Sequence, residues 1–308
     1  MYKRILVPLD GSPLAEQVLP YVRFLARGFH CPVTLLRAVE APPNISLTDP
    51  GYGMYQNQSA TLRLEAREYV ARIAESMKQD GLEVSSVVQV GNPALAIINE
   101  ATKEPATLIT MSTHGRSGIM RWFLGSVTDR VLHATRNPLL IIRVQEESEL
   151  KQEVRLDTVI VPLDGSSLAE QVLPHVAPIA KALGLKVALV RITPVAAEFA
   201  HYIEYVPAPY LDLAQDVDEE ASTYLHRINR GLKLQGVANV EEHVLHGHPA
   251  VAIVDFARSI SDNMVAMSSH GRSGIGSWLL GSITGLVARH CGDPVLVIRP
   301  TEEGTDGD

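Results

Sequence analysis

The sequence predicts an α/β protein of two tandem domains, each a doubly wound, five-stranded parallel sheet. The first observation is an internal repeat, because residues 5–20 (ILVPLDGSPLAEQVLP) match residues 159–174 (VIVPLDGSSLAEQVLP) at 13 of 16 positions. A second pair of segments, 111–128 and 267–284, matches at 13 of 18 positions. In each half, short β-branched runs alternate with helical patterns, which is typical of a parallel α/β sheet. We therefore predict a first domain at residues 1–144 and a second at residues 154–300.

Each element of the first half follows from its residue pattern. Residues 4–9 form a near-continuous apolar run, which is typical of a strand covered on both faces. Ser12 is a suitable cap for the next helix, and Pro13 suits its first position. The helical period continues past Pro20, so we expect a kink there. The other predicted elements are strands at 32–39, 83–90, 107–111 and 139–144, and helices at 62–77, 92–102 and 126–134.

The second half repeats this order, with strands near 157–163, 186–193, 240–246, 263–268 and 294–299. Two long segments without a regular period, 40–58 and 194–209, are predicted to be loops. The polar linker at 145–153 spans at most about 30 Å. An unpaired apolar edge strand is a liability, so we expect the two fifth strands to pair and to give a pseudo-two-fold arrangement of the domains.

Composition and charge narrow the classes of function. The chain of 308 residues has a formal net charge of −8, without a lysine–arginine run, which argues against nucleic acid or an anionic membrane as partner. It has no apolar segment of about 20 residues and no signal-peptide pattern, so we expect no membrane span and a cytoplasmic location. The two cysteines, Cys31 and Cys291, form no metal or redox spacing.

The residues with the clearest chemistry follow the first and fourth strands of each half. In a doubly wound sheet, ligands bind beyond the carboxyl ends of the strands where the strand order reverses, here between strands one and four. Strand one runs into Asp10, whereas strand four runs into a turn with Gly115 and, nine residues further, Gly125. Glycine lets the backbone approach an anion, and a helix N-terminus offers unpaired amides. This arrangement predicts a phosphate site, to which Ser126 and Thr128 add hydroxyls.

The spacing G-x2-G-x9-G-[S/T] after strand four, with an aspartate after strand one, resembles the universal stress protein family and, within it, the tandem-domain, ATP-binding branch. The resemblance covers nearly the whole chain, twice. It implies the strand order 3-2-1-4-5 and ATP, alone or as its magnesium complex, as ligand. Adenine would lie near Asp10 and Ala38 in one copy, and near Asp164 and Ile192 in the other. The residues implied to contact nucleotide are Pro8, Asp10, Ala38, Met111, Ser112, His114, Gly115, Arg116, Gly125, Ser126, Val127 and Thr128, and in the second copy Pro162, Asp164, Ile192, Met267, Ser268, His270, Gly271, Arg272, Gly281, Ser282, Ile283 and Thr284.

Both copies depart from the family pattern, because Ser112 and Ser268 stand where the motif has its first glycine. A serine keeps the backbone amide but adds a side chain to the turn. The copies also differ from each other near the motif, so we expect unequal affinities. The differing residues are Arg121, Asp129 and Arg130 in the first copy, replaced by Ser277, Gly285 and Leu286 in the second.

Several motifs have a second interpretation. The carboxylates of Asp10 and Asp164 are also suited to capping the adjacent turn. For His114 and His270, hydrogen bonds that order the loop are favoured over acid–base catalysis. The three histidines within 243–248 suggest a metal site, but alternate strand residues face opposite ways, which argues against one.

Three hypotheses of function follow. The first is a regulatory ATP-binding protein of the stress response, whose occupancy modulates assembly, including homodimerisation, or partner binding; the stress setting comes from the resemblance. The second is a slow ATPase or an adenylyl- or phosphoryl-transfer enzyme, although the sequence offers no positioned nucleophile or base and no GKS/GKT loop. The third is a structural interaction module that binds no nucleotide.

Overall fold

The structure is a computed structural model that describes residues 1–40, 52–113, 124–143, 153–193, 208–270 and 280–300. The chain divides into two compact units, Met1–Val154 and Arg155–Asp308. Each unit is an α/β domain built on a parallel sheet.

The described part of the first unit has five parallel strands in the order β3-β2-β1-β4-β5. The strands are β1 (Arg4–Pro8), β2 (Val33–Val39), β3 (Val84–Val90), β4 (Thr107–Ser112) and β5 (Leu139–Ile142). The helices are α1 (Pro13–Glu16), α2 (Leu19–Phe29), α3 (Tyr52–Gln79), α4 (Pro93–Ala101) and α5 (Ser126–Ala134).

The second unit repeats this plan, with its described strands in the order β8-β7-β6-β9-β10. The strands are β6 (Thr158–Pro162), β7 (Lys186–Thr193), β8 (Val240–His246), β9 (Asn263–Ser268) and β10 (Val295–Ile298). The helices are α6 (Ser167–Glu170), α7 (Leu173–Leu183), α8 (Ala208–Leu234), α9 (Pro249–Arg258) and α10 (Ser282–His290). The predicted fold class and the order 3-2-1-4-5 are confirmed within each unit, whereas the pairing of the two fifth strands stays a prediction.

The central strands form the core of each sheet. All six residues of β4 are buried, as are all six of β9, which is expected of parallel strands covered by helices on both faces. The long helix α3 packs its apolar stripe on the sheet through buried residues spaced three or four apart: Ala66, Val70, Ile73, Ala74 and Met77.

Three details differ from the sequence-based expectations. The helix does not continue through Pro20: α1 ends at Glu16, and α2 starts at Leu19 with Pro20 in its first turn, where its missing N–H is not needed. The predicted loops 40–58 and 194–209 are partly helical, because α3 starts at Tyr52 and α8 at Ala208. Residues 41–51 and 194–207 lie outside the described residues. Leu62 is exposed, because the buried stripe of α3 starts one turn later, at Ala66.

Candidate functional site

The strand order reverses between β1 and β4, and again between β6 and β9. In the first unit β1 pairs with β2 on one side and with β4 on the other, both in parallel. In the second unit β6 lies in the same way between β7 and β9. The carboxyl ends of β1 and β4 therefore open the crevice in which doubly wound sheets bind ligands.

A tight turn follows β1 and presents Asp10 at this crevice. The Asp10 Oδ1 atom accepts hydrogen bonds from the Ser12 amide at 3.0 Å and from the Ser12 hydroxyl at 2.6 Å. The Ser12 Oγ in turn accepts from the Ala15 amide at 3.1 Å and so caps α1. Gly11 allows the turn because its φ is 81°, a region that other residues avoid.

The turn after β6 repeats these contacts. Asp164 Oδ1 accepts from the amide and the hydroxyl of Ser166 at 2.9 and 2.6 Å, and Ser166 Oγ accepts from the Ala169 amide at 3.1 Å. The capping role considered for these aspartates is thus present in both units. A carboxylate has about four acceptor positions, so capping and ligand contact are compatible.

The fourth strand of each unit leads to a helix that starts at a glycine. The Gly125 amide donates to the Thr113 carbonyl at 2.6 Å, and the Gly281 amide donates to the Ser269 carbonyl at 2.9 Å. A Cβ on Gly281 would lie 2.7 Å from that Ser269 oxygen, so only glycine lets the helix start this close to the strand end. Because glycine has no side chain with which to cap a helix, Gly125 and Gly281 give no side-chain hydrogen bond to the first-turn amides of α5 and α10.

Two buried threonines fasten these helices to the strands. The Thr128 hydroxyl donates to the Ser112 carbonyl at 2.9 Å, and the Thr284 hydroxyl donates to the Ser268 carbonyl at 2.9 Å. This differs from the expectation that the Thr128 hydroxyl binds phosphate, because a hydroxyl has one proton to donate and this one is given to a carbonyl. The serines in place of the motif's first glycine are both buried.

A cluster of charged and aromatic side chains, which we call the Arg–Tyr cluster, lies beside the aspartate turn of the second unit. It consists of Arg191 on β7, Tyr224 and Arg227 on α8, and Glu170 on α6. The guanidinium carbons of Arg191 and Arg227 lie 5.3 and 5.2 Å from the centre of the Tyr224 ring. Arg227 Nη2 also pairs with Glu170 Oε1 at 2.7 Å. Burial raises the pKa of the Tyr224 hydroxyl, and the Glu170 carboxylate adds to the effect.

The first unit has the corresponding Arg–Tyr cluster, formed by Arg37, Tyr69, Arg72 and Glu16. Arg37 Nη1 donates to the Leu9 carbonyl at 3.3 Å, immediately before the aspartate turn. The guanidinium carbon of Arg72 lies 5.7 Å from the centre of the Tyr69 ring. Burial raises the pKa of the Tyr69 hydroxyl, the charge of Glu16 raises it further, and Arg37 opposes the shift.

Comparison with known proteins agrees with this architecture. A model of the universal stress protein family matches residues 1–143 and again residues 155–299. The chain belongs to the universal stress protein family. The resemblance that the glycine-rich spacing indicated is therefore confirmed, including its tandem form.

Some relatives match one domain of this chain, and others match nearly its whole length. A universal stress protein of Methanocaldococcus jannaschii is 29% identical over 143 residues, which is 46% of this chain and 83% of that protein. One of Mycolicibacterium smegmatis is 24% identical over 303 residues, which is 96% of this chain and 97% of that protein. The crystal structure of a universal stress protein from Archaeoglobus fulgidus superimposes with a TM-score of 0.69 at 20% identity and covers 98% of this chain and 97% of its own.

Several of the residues predicted to contact nucleotide are placed by the structure at the strand ends of this universal stress protein. Pro8 ends β1, and the half-buried Ala38 stands beside Gln89 near the end of β2. Pro162 and Ile192 occupy the corresponding positions in the second unit. The exposed Ser126 and Ser282 and the half-buried Val127 and Ile283 form the first turns of α5 and α10, and the buried Met111 and Met267 lie in β4 and β9. Predicted contacts that lie outside the described residues are His114, Gly115, Arg116, Gly271 and Arg272.

The histidines of the second domain have structural contacts. His270 Nδ1 lies 3.0 Å from the Ser269 hydroxyl, a local contact of the kind expected of a loop-ordering residue. The His243 ring packs against Phe256 at 4.8 Å between ring centres, with the two planes tilted by 53°, and His246 Nδ1 lies 2.9 Å from the Thr193 hydroxyl. Within the described ranges, no group of three or more His, Cys, Asp or Glu residues is arranged to hold a metal ion. In the same part of the chain, no helix is both long and apolar enough to cross a membrane.

Proposed function

We propose that each domain of this universal stress protein binds one adenine nucleotide, ATP, at the carboxyl ends of its first and fourth strands. The observation that carries the proposal is the start of α5 and α10, where a glycine that offers no side-chain cap brings the first-turn amides onto the end of the fourth strand. Such amides, together with the helix dipole, favour phosphate. The site occurs twice with the same hydrogen bonds, which supports one nucleotide per domain.

The phosphates would lie against the amides of Ser126 and Val127 in the first domain, and of Ser282 and Ile283 in the second. The nucleoside would lie across the strand reversal, near the Asp10 or Asp164 carboxylate, which accepts hydrogen bonds from hydroxyl or amino groups. This division assigns phosphate recognition to the fourth strand and nucleoside recognition to the first. Magnesium, where present, would be held mainly by the phosphates.

We infer that bound nucleotide acts as a signal that modulates assembly or partner binding. The support is the Arg–Tyr cluster, which joins the aspartate turn to the buried face of the long helix of each domain. A ligand that shifts this turn therefore acts on a helix that is exposed along its other face. Sedimentation of the full chain with and without ATP tests this inference, and a sedimentation coefficient unaffected by ATP, together with unchanged partner capture, contradicts it.

The nucleotide content of the purified full-length chain tests the proposed site directly. The protein is denatured, and the released nucleotides are separated by chromatography and counted per chain. A sample without nucleotide is titrated with ATP, with and without magnesium. We expect two ATP per chain at saturation, and one ATP per chain would restrict the proposal to a single domain. Recovery of mainly ADP after loading with ATP would favour a slow ATPase, whereas absence of binding would favour an interaction module.

A further inference from the structure

Arg191 lies directly against the turn that carries Asp164. A Cβ on Gly165 would lie 2.5 Å from Arg191 Nη1 and 3.2 Å from Arg191 Cζ. Gly165 also has a φ of 85°, a backbone conformation that favours glycine whatever the space around it. The Arg191 guanidinium therefore occupies the space that a side chain at position 165 would fill, and it packs against the turn.

The same guanidinium also lies against the long helix α8, at the ring of Tyr224. The guanidinium carbons of Arg191 and Arg227 lie 5.3 and 5.2 Å from the centre of the Tyr224 ring. Arg227 Nη2 also pairs with Glu170 Oε1 at 2.7 Å, which connects this part of α8 to α6. Arg191 thus has a fixed position between the aspartate turn and an aromatic ring. A planar guanidinium suits such a position, because it stacks on a ring while its edge contacts polar groups.

The first domain repeats the arrangement with its own residues. Arg37 Nη1 donates to the carbonyl of Leu9, the residue before Asp10, at 3.3 Å. Asp10 raises the pKa of the buried Tyr69 hydroxyl and Arg37 lowers it, so both charges are close enough to act on that hydroxyl. The cluster therefore recurs in each domain next to the same turn.

We propose that Arg37 and Arg191 are positioning residues of the two nucleotide sites. Each holds the aspartate turn so that its carboxylate faces the crevice, and neither needs to touch the nucleotide. The inference rests on the proposed function and deepens it. Because the turn serves the nucleoside and the α5 and α10 starts serve the phosphates, loss of the guanidinium should weaken nucleoside recognition selectively.

Two variants of the full-length chain test this selectivity. The first carries Arg37→Met with Arg191→Met, and the control carries Arg23→Met with Lys186→Met, which removes from each domain one cation that lies outside the Arg–Tyr cluster and pairs with Asp80 or Glu241. Affinities for ATP and for inorganic tripolyphosphate are measured by calorimetry, and thermal unfolding reports the fold. In the first variant we expect ATP affinity to fall about tenfold or more, as when a charged hydrogen bond is lost, and tripolyphosphate affinity to stay within about twofold. The control should keep both affinities.

A third variant, Arg37→Lys with Arg191→Lys, keeps the positive charge but lacks the planar guanidinium. It tests the proposal even if the methionine variant unfolds. It should have wild-type tripolyphosphate affinity and reduced ATP affinity. An equal loss for both ligands, or wild-type ATP affinity in a folded methionine or lysine variant, would overturn the positioning role alone. A wild-type protein that binds neither ligand would overturn the proposed function and this inference with it.

Discussion

Arg4 and Glu100 form a buried ion pair at the base of the first domain. Arg4 Nη1 lies 3.3 Å from Glu100 Oε1, and Arg4 Nη2 donates to the Glu100 carbonyl at 2.7 Å. Their side chains are only 11% and 5% exposed. The pair fastens the end of α4 to the start of β1. In the second domain the corresponding residues are Thr158 and Phe256, which cannot form an ion pair; there Asn263 at the start of β9 holds the end of α9, because its side-chain amide donates to the Ala257 and Ile260 carbonyls at 2.9 and 2.7 Å.

Removal of Glu100 should destabilise the first domain selectively. Glu100→Ala leaves the Arg4 charge buried without its carboxylate, which costs about 3–5 kcal/mol. Arg4→Met combined with Glu100→Met removes both charges and should cost much less, because apolar replacement of a buried pair is often neutral. Hydrogen exchange measured by mass spectrometry checks this, with faster exchange expected in β1 and α4 and unchanged exchange in β6 and α9.

Lys103→Ala is the matched control for this pair. Lys103 Nζ lies 2.6 Å from Glu100 Oε2, but its side chain is 59% exposed, so its loss should change the free energy of unfolding by less than about 1 kcal/mol. If Lys103→Ala were as damaging as Glu100→Ala, the exposed lysine rather than the buried arginine would be the main partner of Glu100.

His175 on α7 should make the protein less stable in mild acid. Burial lowers the pKa of its imidazole. In the unfolded state the His175 imidazole has its ordinary pKa of about 6.5. Below that pH the unfolded state therefore binds more protons than the folded state. The stabilisation from this group is therefore complete above about pH 6.5 and is lost as the pH falls further.

The variant His175→Tyr, which introduces the residue found at Tyr21 in the first repeat, should lose this pH dependence. We expect the fall in unfolding temperature between about pH 7.5 and about pH 5.5 to be smaller in the variant than in the wild type. Parallel curves for the two proteins would show that His175 does not contribute.

Local signals explain why much of the fold was predictable from the sequence. Ser12 before Pro13 predicted the start of α1, and its Oγ does accept the Ala15 amide at 3.1 Å. Gly125 likewise indicated the start of α5, because the backbone conformation at a helix start depends on the residue at that position. The repeat itself supplied the second domain.

Tertiary contacts explain what was missed. Arg37 is one charged residue in an apolar strand. Tyr69, which belongs to the same Arg–Tyr cluster, lies 32 residues further along the chain, on a helix. Sequence periodicity does not reveal such a contact, although the recurrence of arginine at position 191 was a usable signal. The direction of the Thr128 hydroxyl was missed for a similar reason, since it depends on a strand carbonyl at Ser112.

The second domain contains a polar bridge that the first lacks. The Thr193 hydroxyl donates to Asp218 Oδ1 at 2.8 Å and lies 2.9 Å from His246 Nδ1. In the first domain, valines stand at the corresponding strand positions: Val39 in place of Thr193 and Val90 in place of His246. Thr193→Val should lower the free energy of unfolding of the second domain by about 1 kcal/mol. Thr193→Val with His246→Val restores the apolar pair and should recover part of that loss in urea denaturation. A double variant less stable than the single one would contradict this account.

The amide of the first residue of α5 and α10 should carry much of the phosphate affinity. Ser126→Pro with Ser282→Pro removes one amide donor from each helix without disturbing it, because proline is favoured at the first helical position. The preceding Gly125 and Gly281 already have extended backbones, with ψ of 145° and 141°, as a residue before proline requires. We expect ATP affinity to fall about tenfold or more, and the unfolding temperature to stay unchanged.

Ser126→Ala with Ser282→Ala separates the amide from the hydroxyl at the same positions. Both side chains are exposed, so alanine leaves packing unchanged while it removes the hydroxyl and keeps the amide. ATP affinity in this variant should fall much less than in the proline variant, because the helix start provides its amides whatever the side chain. If the alanine variant lost as much affinity as the proline variant, the serine hydroxyl would be the main phosphate contact and the first-turn amides would not.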